Sequence, residues 1–231
     1  MAPALRLRLR DAWLADASAE HASVASFARF ALELMAVGAP GGLVAAAHRA
    51  ALDEIRQAEV CFAIAGRYDA SSDPGATPFA PGPLSLDGVV TRTDLAVVAA
   101  AALEEACIGE TFSAMALARA SASCTDPHVR VVLARIGADE ARHAELGWRF
   151  VGWASAHGET RVRAEVAAAF ERSLARFAQD DDHPLDTRHA DDGAWRSAGR
   201  LTPDDLCALR SEVHQVVAAT VATLALASRA S

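Results

Sequence analysis

The sequence predicts an all-α protein: a bundle of four long helices wired with one long crossover, followed by two additional C-terminal helices. Three observations lead there. Alanine and leucine dominate while β-branched runs are few, a composition that favours helix. Apolar residues recur at three- and four-residue steps. Glycine- and proline-rich punctuation falls at intervals that leave helices about 40 Å long between short, long and short connections.

The first helix is expected over residues 12–37, where Trp13, Val24, Phe27, Phe30, Leu34 and Met35 mark one face. VGAPGG at 37–42 stops it. A second helix runs from about Leu43 to Tyr68 and ends in a Ser/Pro/Gly/Asp-rich loop over 69–90, whose four prolines bar continuous helix. A third starts near Thr91 to Asp94 and continues to about Ser123. TDP at 125–127 starts a fourth, to about Ala156, with Pro127 suited to a first turn. Beyond it, GETRVRAEVAAAFERSLARFAQ is amphipathic, residues 180–199 read as irregular, and a cap-plus-proline signal at 201–203 opens a last helix. The expectation is one domain, with the bundle at 12–156 and a helical extension at 157–231 that covers it or makes an oligomer contact.

Composition excludes several classes. At 231 residues the chain buries a core without disulfides. Its net charge of −8 and lack of an internal basic block argue against nucleic acid as a partner. The opening MAPALRLRLR lacks the apolar core of a signal peptide and reads as a short arm or extended lead-in. The longest apolar runs, such as Leu95 to Leu103, fall short of the ~18 residues a membrane span needs. A cytoplasmic location is expected, with Cys61, Cys107, Cys124 and Cys207 as reduced thiols.

The informative motif is a repeat. DEARHAE at 139–145 copies DEIRQAE at 53–59 in five of seven letters. A glutamate and the residue three further on share a helix face, so Glu140 points with His143 and Glu54 with Gln57. Around Glu140 the neighbours at helical steps include Leu133, Ile136, Ala144 and Gly147, so the carboxylate faces an apolar interior that tolerates it only beside a charged partner such as a metal ion. The repeat extends upstream: setting Glu20 on Glu110 places Ser23 on Ser113, Ala28 on Ala118 and Arg29 on Arg119. Glu20 precedes Glu54 by 34 residues and Glu110 precedes Glu140 by 30, so two copies of one hairpin bring four carboxylates level at mid-bundle. Glu104 and Glu105 compete with Glu110 for the third-helix role. Carboxylates with imidazole suit iron or manganese better than a structural thiolate zinc site.

This layout resembles the ferritin-like superfamily of di-iron carboxylate proteins, in which two helices each give one Glu and the other two each give ExxH. EHASVASFARF, LDEIRQAE, CIGET and DEARHAE resemble, more narrowly, a group of bacterial ferritin-like-domain proteins. The resemblance implies Glu20, Glu54, Glu110, Glu140 and His143 as metal ligands, with Gln57 at a sixth position where histidine is expected. One ion at Glu140 and His143 with a weak or absent neighbour, two ions with a substitute ligand, or a degenerate site without metal are all compatible with that glutamine. The implied function is a metal-dependent oxidoreductase, with two irons or one tight and one weak, or manganese. It would use dioxygen to oxidise or hydroxylate a small molecule, and it allows an external electron donor and a homodimer. Ferroxidase or iron handling, and a non-enzymatic binding module with a decayed site, are the alternatives.

Around this set, Asp53 and Asp139 are placed either at the surface or behind a histidine across the bundle. Glu59, Glu145, Arg56 and Arg142 read as surface or ion-pair residues. His21 and His48 lie off the ligand face, and His214 is either a surface residue or a replacement for the missing imidazole. Cys61 and Cys107 line the site or simply fill core. Ser23, Ala58, Gly109, Ser113 and Ala144 leave room for a substrate or permit close helix packing.

Overall fold

A computed structural model describes residues 1–69, 81–181 and 192–227. Among them the chain is helical, with no strand. Helix α1 spans Pro3–Ala36, so the opening stretch is not an extended arm. The alternation of leucine with arginine misleads because Leu5 and Leu9 are four residues apart. They continue into Trp13 and Ala17 as one buried stripe, with Pro3 in the first turn. Arg6 donates to the carbonyls of Tyr68 at 2.9 Å and Asp69 at 2.7 Å, which ties this added length to the end of the next helix.

Helix α2 spans Gly41–Tyr68. The part of the long connection at 81–94 is non-helical, with Gly88 at φ +77° in its turn. Residues 70–80 of the expected loop lie outside the described residues. The third rod is not uniform. It runs as α3, Leu95–Ala102, a π-helical stretch, Leu103–Gly109, and α4, Glu110–Ser123. Asp94 caps it by accepting from the backbone N–H groups of Ala96 and Val97. Helix α5 spans Pro127–His157, capped in the same way by Asp126.

Helix α1 packs along α2, α4 along α5, and α2 against α5, while the π-helical stretch also rests on α5. Gly147 permits the last contact: a Cβ there would lie 2.8 Å from the Ala106 Cβ and 3.1 Å from backbone. By contrast α1 and the third rod stand apart, without the close backbone approach of the other neighbours.

The apolar interior falls into two clusters. One gathers Phe30, Leu34, Ala47, Val98, Leu103 and Phe150. The other gathers Leu9, Trp13, Phe62, Ile64, Leu133 and Ile136. On every rod the change from one cluster to the other occurs at the same level: after Ala17 on α1, between Ala50 and Ala58 on α2, between Ile108 and Ala120 on the third rod, and between Ile136 and Leu146 on α5. Glu20, Glu54, Glu110 and Glu140 occupy those gaps.

Three more helices complete the described chain. Helix α6, Thr160–Asp181, packs on α3 and the π-helical stretch. Helix α7, Asp192–Ser197, is a short helix inside the segment expected to be irregular; residues 182–191 of that segment lie outside the described residues. Its Trp195 donates from Nε1 to the Leu201 carbonyl, which closes the turn and gives it order. Helix α8, Pro203–Ala227, lies against α4 and α6 and opens on the expected cap, with Asp205 and Thr202 bonded reciprocally. No helix among the described residues is long and apolar enough to cross a membrane.

Candidate metal centre

The two heptapeptides face each other across α2 and α5. Glu54, Gln57, Glu140 and His143 are all 4 % exposed or less, which for two carboxylates is exceptional without compensation. One ligand atom each from Glu54, Glu140 and His143 lies within 4.8 Å of the others. His143 Nδ1 is 3.1 Å from Glu54 Oε1 and 3.5 Å from Glu140 Oε1. Proximity is not bonding here: His143 Nδ1, Glu140 Oε1 and Glu54 Oε2 all lack a hydrogen-bond partner of acceptable geometry. Buried donors and acceptors of this kind are normally satisfied. Their lone pairs converge on a common space rather than on each other.

Glu20 and Glu110 complete the layer. Glu20 sits against Glu54, and Glu110 against Glu140, each pair close enough to share a proton. Burial, then the hydrogen bond to the partner carboxyl and its negative charge, pushes both Glu20 and Glu110 up to about 10. Both retain some surface because they border a cavity. Burial also works against the charge on Glu140, but the close approach of His143 and of the Glu110 carboxyl outweighs it and holds that carboxyl below its ordinary value. His143 is raised to about 9, since Glu140 and Glu54 outweigh the burial that opposes its charge. Without a cation the crowding of buried carboxyls favours the protonated form of Glu20 and Glu110, and the nearby carboxylates favour the charged form of His143.

Glu110 is the third rod's contribution. Glu104 turns away to Arg172 and Arg176 on α6, and Glu105 to Arg29 and Arg92. Gln57 enters the layer beside Glu140, yet its Oε1 and Nε2 both lack a hydrogen-bond partner. The backing of the histidine is also present: His143 Nε2 lies 3.4 Å from Asp53 Oδ2 across the helix pair. Asp139, the repeat mate of Asp53, instead pairs with Arg142 one turn along α5. Both aspartates are buried, which removes the surface alternative for them. Arg56 and Arg142 are exposed but bound to Asp53, and Glu59 and Glu145 are exposed.

The remaining candidates separate cleanly. His214 packs edge-on against Phe170 and does not replace the missing imidazole. His48 is exposed, and His21 belongs neither to the cluster nor to the cavity lining. Cys107 is core, and Cys61 borders the cavity; burial raises both thiols and keeps them protonated. Ala58 and Ala144 are buried in the packing, whereas Ser23, Gly109 and Ser113 border the open space.

That space is a cavity of about 700 Å³ where α1 and α4 stand apart. Glu20, Glu110 and Glu140 form its acidic end. Its walls are apolar, from Trp13, Phe112, Leu117, Leu133 and Ile136, and Trp195, Leu201 and Leu206 close it from the C-terminal side. Arg200 enters this wall with its guanidinium 5.1 Å from the Trp13 ring centre and 5.8 Å from that of Trp195, in a two-pronged ion pair with Asp16. The buried Trp13 Nε1 has no hydrogen-bond partner. Trp195 and Arg200 escape a reading by periodicity because they sit in a short helix and the turn after it, and Asp16 of α1 is singled out only by its pairing with Arg200. A usable signal is that one of the chain's four tryptophans falls in a polar segment. No family model, no curated protein and no solved structure matches the chain, so its chemistry is argued from this arrangement of side chains.

Proposed function

We propose that the chain is a ferritin-like bundle whose Glu20, Glu54, Glu110, Glu140 and His143 hold a metal centre, and that it acts as an oxidoreductase on a small molecule admitted to the adjoining cavity. The observation that carries this is the convergence of Glu54, Glu140 and His143 atoms within 4.8 Å, with three buried polar atoms left unpartnered among them.

The donor set fits a hard-to-borderline divalent ion. It offers four carboxylates and one imidazole, with no thiolate among the converging atoms, which suits iron or manganese. Glu54, Glu140 and His143 would hold one position. Glu20 and Glu110 complete the set from the cavity side, and the Gln57 amide oxygen is a weaker donor at the position opposite His143. Such an ion, when bound, supplies one-electron redox chemistry and the activation of dioxygen.

The chain's own residues have definable tasks. Asp53 fixes the His143 ring from its Nε2 side, so that Nδ1 faces the carboxylates. Glu20 and Glu110, protonated in the cation-free layer, release protons as a cation enters and then have oxygens free to ligate. The apolar walls exclude water from the acidic end, and the unpartnered Trp13 N–H offers a bound molecule one hydrogen bond.

Elemental analysis of protein made in iron-replete medium tests the metal, and oxygen consumption after anaerobic ferrous loading tests the reaction. Tight binding of at least one ion per chain with oxygen uptake is expected; absence of bound metal across preparations removes the reading. Gln57 favours a second reading, a bundle with a lapsed centre used for binding, because protons on Glu20 and Glu110 already relieve the repulsion among the carboxyls. In that case elemental analysis finds negligible metal, added metal leaves the wild-type melting temperature unchanged, and Glu140→Ala costs little stability.

A further inference from the structure

We infer that the groove between α2 and α5, on the outer side of His143, is a binding site for a phosphate-type oxyanion. The groove has a volume of about 320 Å³, at the small end for ligand sites. Four arginines line it: Arg49 and Arg56 from α2, Arg142 and Arg149 from α5. Within each helix the two are seven residues apart, two full turns on one face. Residues 46–56 line the groove together with 142–149, and Asp53 is level with Arg142 and His143. The helices therefore run antiparallel, and Arg49 and Arg149 fall at the same end. All four arginines border one space.

Charge balance sets this space apart on a chain of net charge −8. Arg56 and Arg142 both bind Asp53, one on each carboxylate oxygen, and Arg142 also binds Asp139. Arg49 and Arg149 make no ion pair among the described residues. Glu145 is the other carboxylate in the lining, so positive groups outnumber negative ones. Arginines in excess of the carboxylates beside them repel one another unless an anion joins them. Forked guanidinium groups match the oxygens of phosphate in pairs. Ala46, Ala50 and Leu146 make the rest of the groove small and apolar. The occupant is a compact dianion with several oxygens, either free or as the head of a larger molecule. Arg49 and Arg149 bind it outright, and Arg56 and Arg142 share it with Asp53.

Calorimetric titration with inorganic phosphate, on protein as purified and after chelation, tests the site. Wild type should bind with a dissociation constant of about 1 mM or lower in both states. The doubly substituted R49Q/R149Q should lose about tenfold or more of that affinity. The control R135Q, an exposed arginine of the same helix outside the groove, should keep it. All these side chains are exposed, so circular dichroism should report unchanged helix content in the variants. A parallel titration with a phosphomonoester separates the two sources: tighter binding than phosphate assigns the groove to the head of a larger molecule, weaker binding to the free ion. No binding in wild type, binding that disappears on chelation, or binding indifferent to R49Q/R149Q overturns the assignment.

Discussion

Gln57 carries an amide whose oxygen and nitrogen are both buried and unpartnered, and each such group costs about 1–3 kcal/mol. A histidine there would mirror His143 and offer a nitrogen to the same layer. Gln57→His is therefore expected to raise bound metal from about one toward two ions per chain, measured by elemental analysis. Protons and cations compete for this layer, which gives a pH signature. Glu20 and Glu110 are raised from 4.5 to about 10, so the folded state binds more protons than the unfolded one between those values. His143, raised from 6.5 to about 9, contributes stability that is lost over the same alkaline range. Chelated protein should therefore melt at progressively lower temperature as pH rises from about 6 to about 9, and added metal should flatten that slope. These four glutamates were legible in the sequence because the repeat copies the spacing of a helix face. Arg200 and Trp195 were not, because a short helix and the turn that follows it leave no period to read.

At the scale of elements, the π-helical stretch just before Glu110 is the feature that helical periodicity could not announce. A π turn holds one residue more than an α turn, so it rotates the faces of α4 relative to those of α3. Glu104 and Glu105 thereby meet arginines while Glu110 meets Glu140. Its seating on α5 depends on Gly147, and Gly147→Ala should destabilise the fold by about 1–3 kcal/mol in urea unfolding, through overpacking against Ala106. The N-terminal turns of α1 are also integral. Leu9 is fully buried, and Leu9→Ala should cost about 2–5 kcal/mol in the same measurement; a cost near zero would mean that this stretch does not dock. Reading it as an arm failed for a physical reason. Alternating leucine and arginine fits period two, while burial tracks only the leucines four apart, and Leu7 between them is exposed.

On the scale of the whole molecule, a polar layer divides the interior into two apolar clusters. Without a cation, protons on Glu20 and Glu110 relieve the repulsion among its carboxyls. Saturating metal should raise the melting temperature by mass action, and Glu54→Ala, which deletes a converging ligand, should abolish most of that rise in calorimetry. Helix order and the meeting of the carboxylates were readable from the sequence, since both derive from local spacing. The cavity was not, because it arises where α1 and α4 fail to touch and where a distant segment closes the opening. The acidic floor and the covering wall thus come from separate parts of the chain. Changes confined to Trp195, Leu201 or Leu206 can reshape the cavity while the carboxylates keep their positions. The form of the opening and the chemistry of its floor are free to diverge independently in such an architecture.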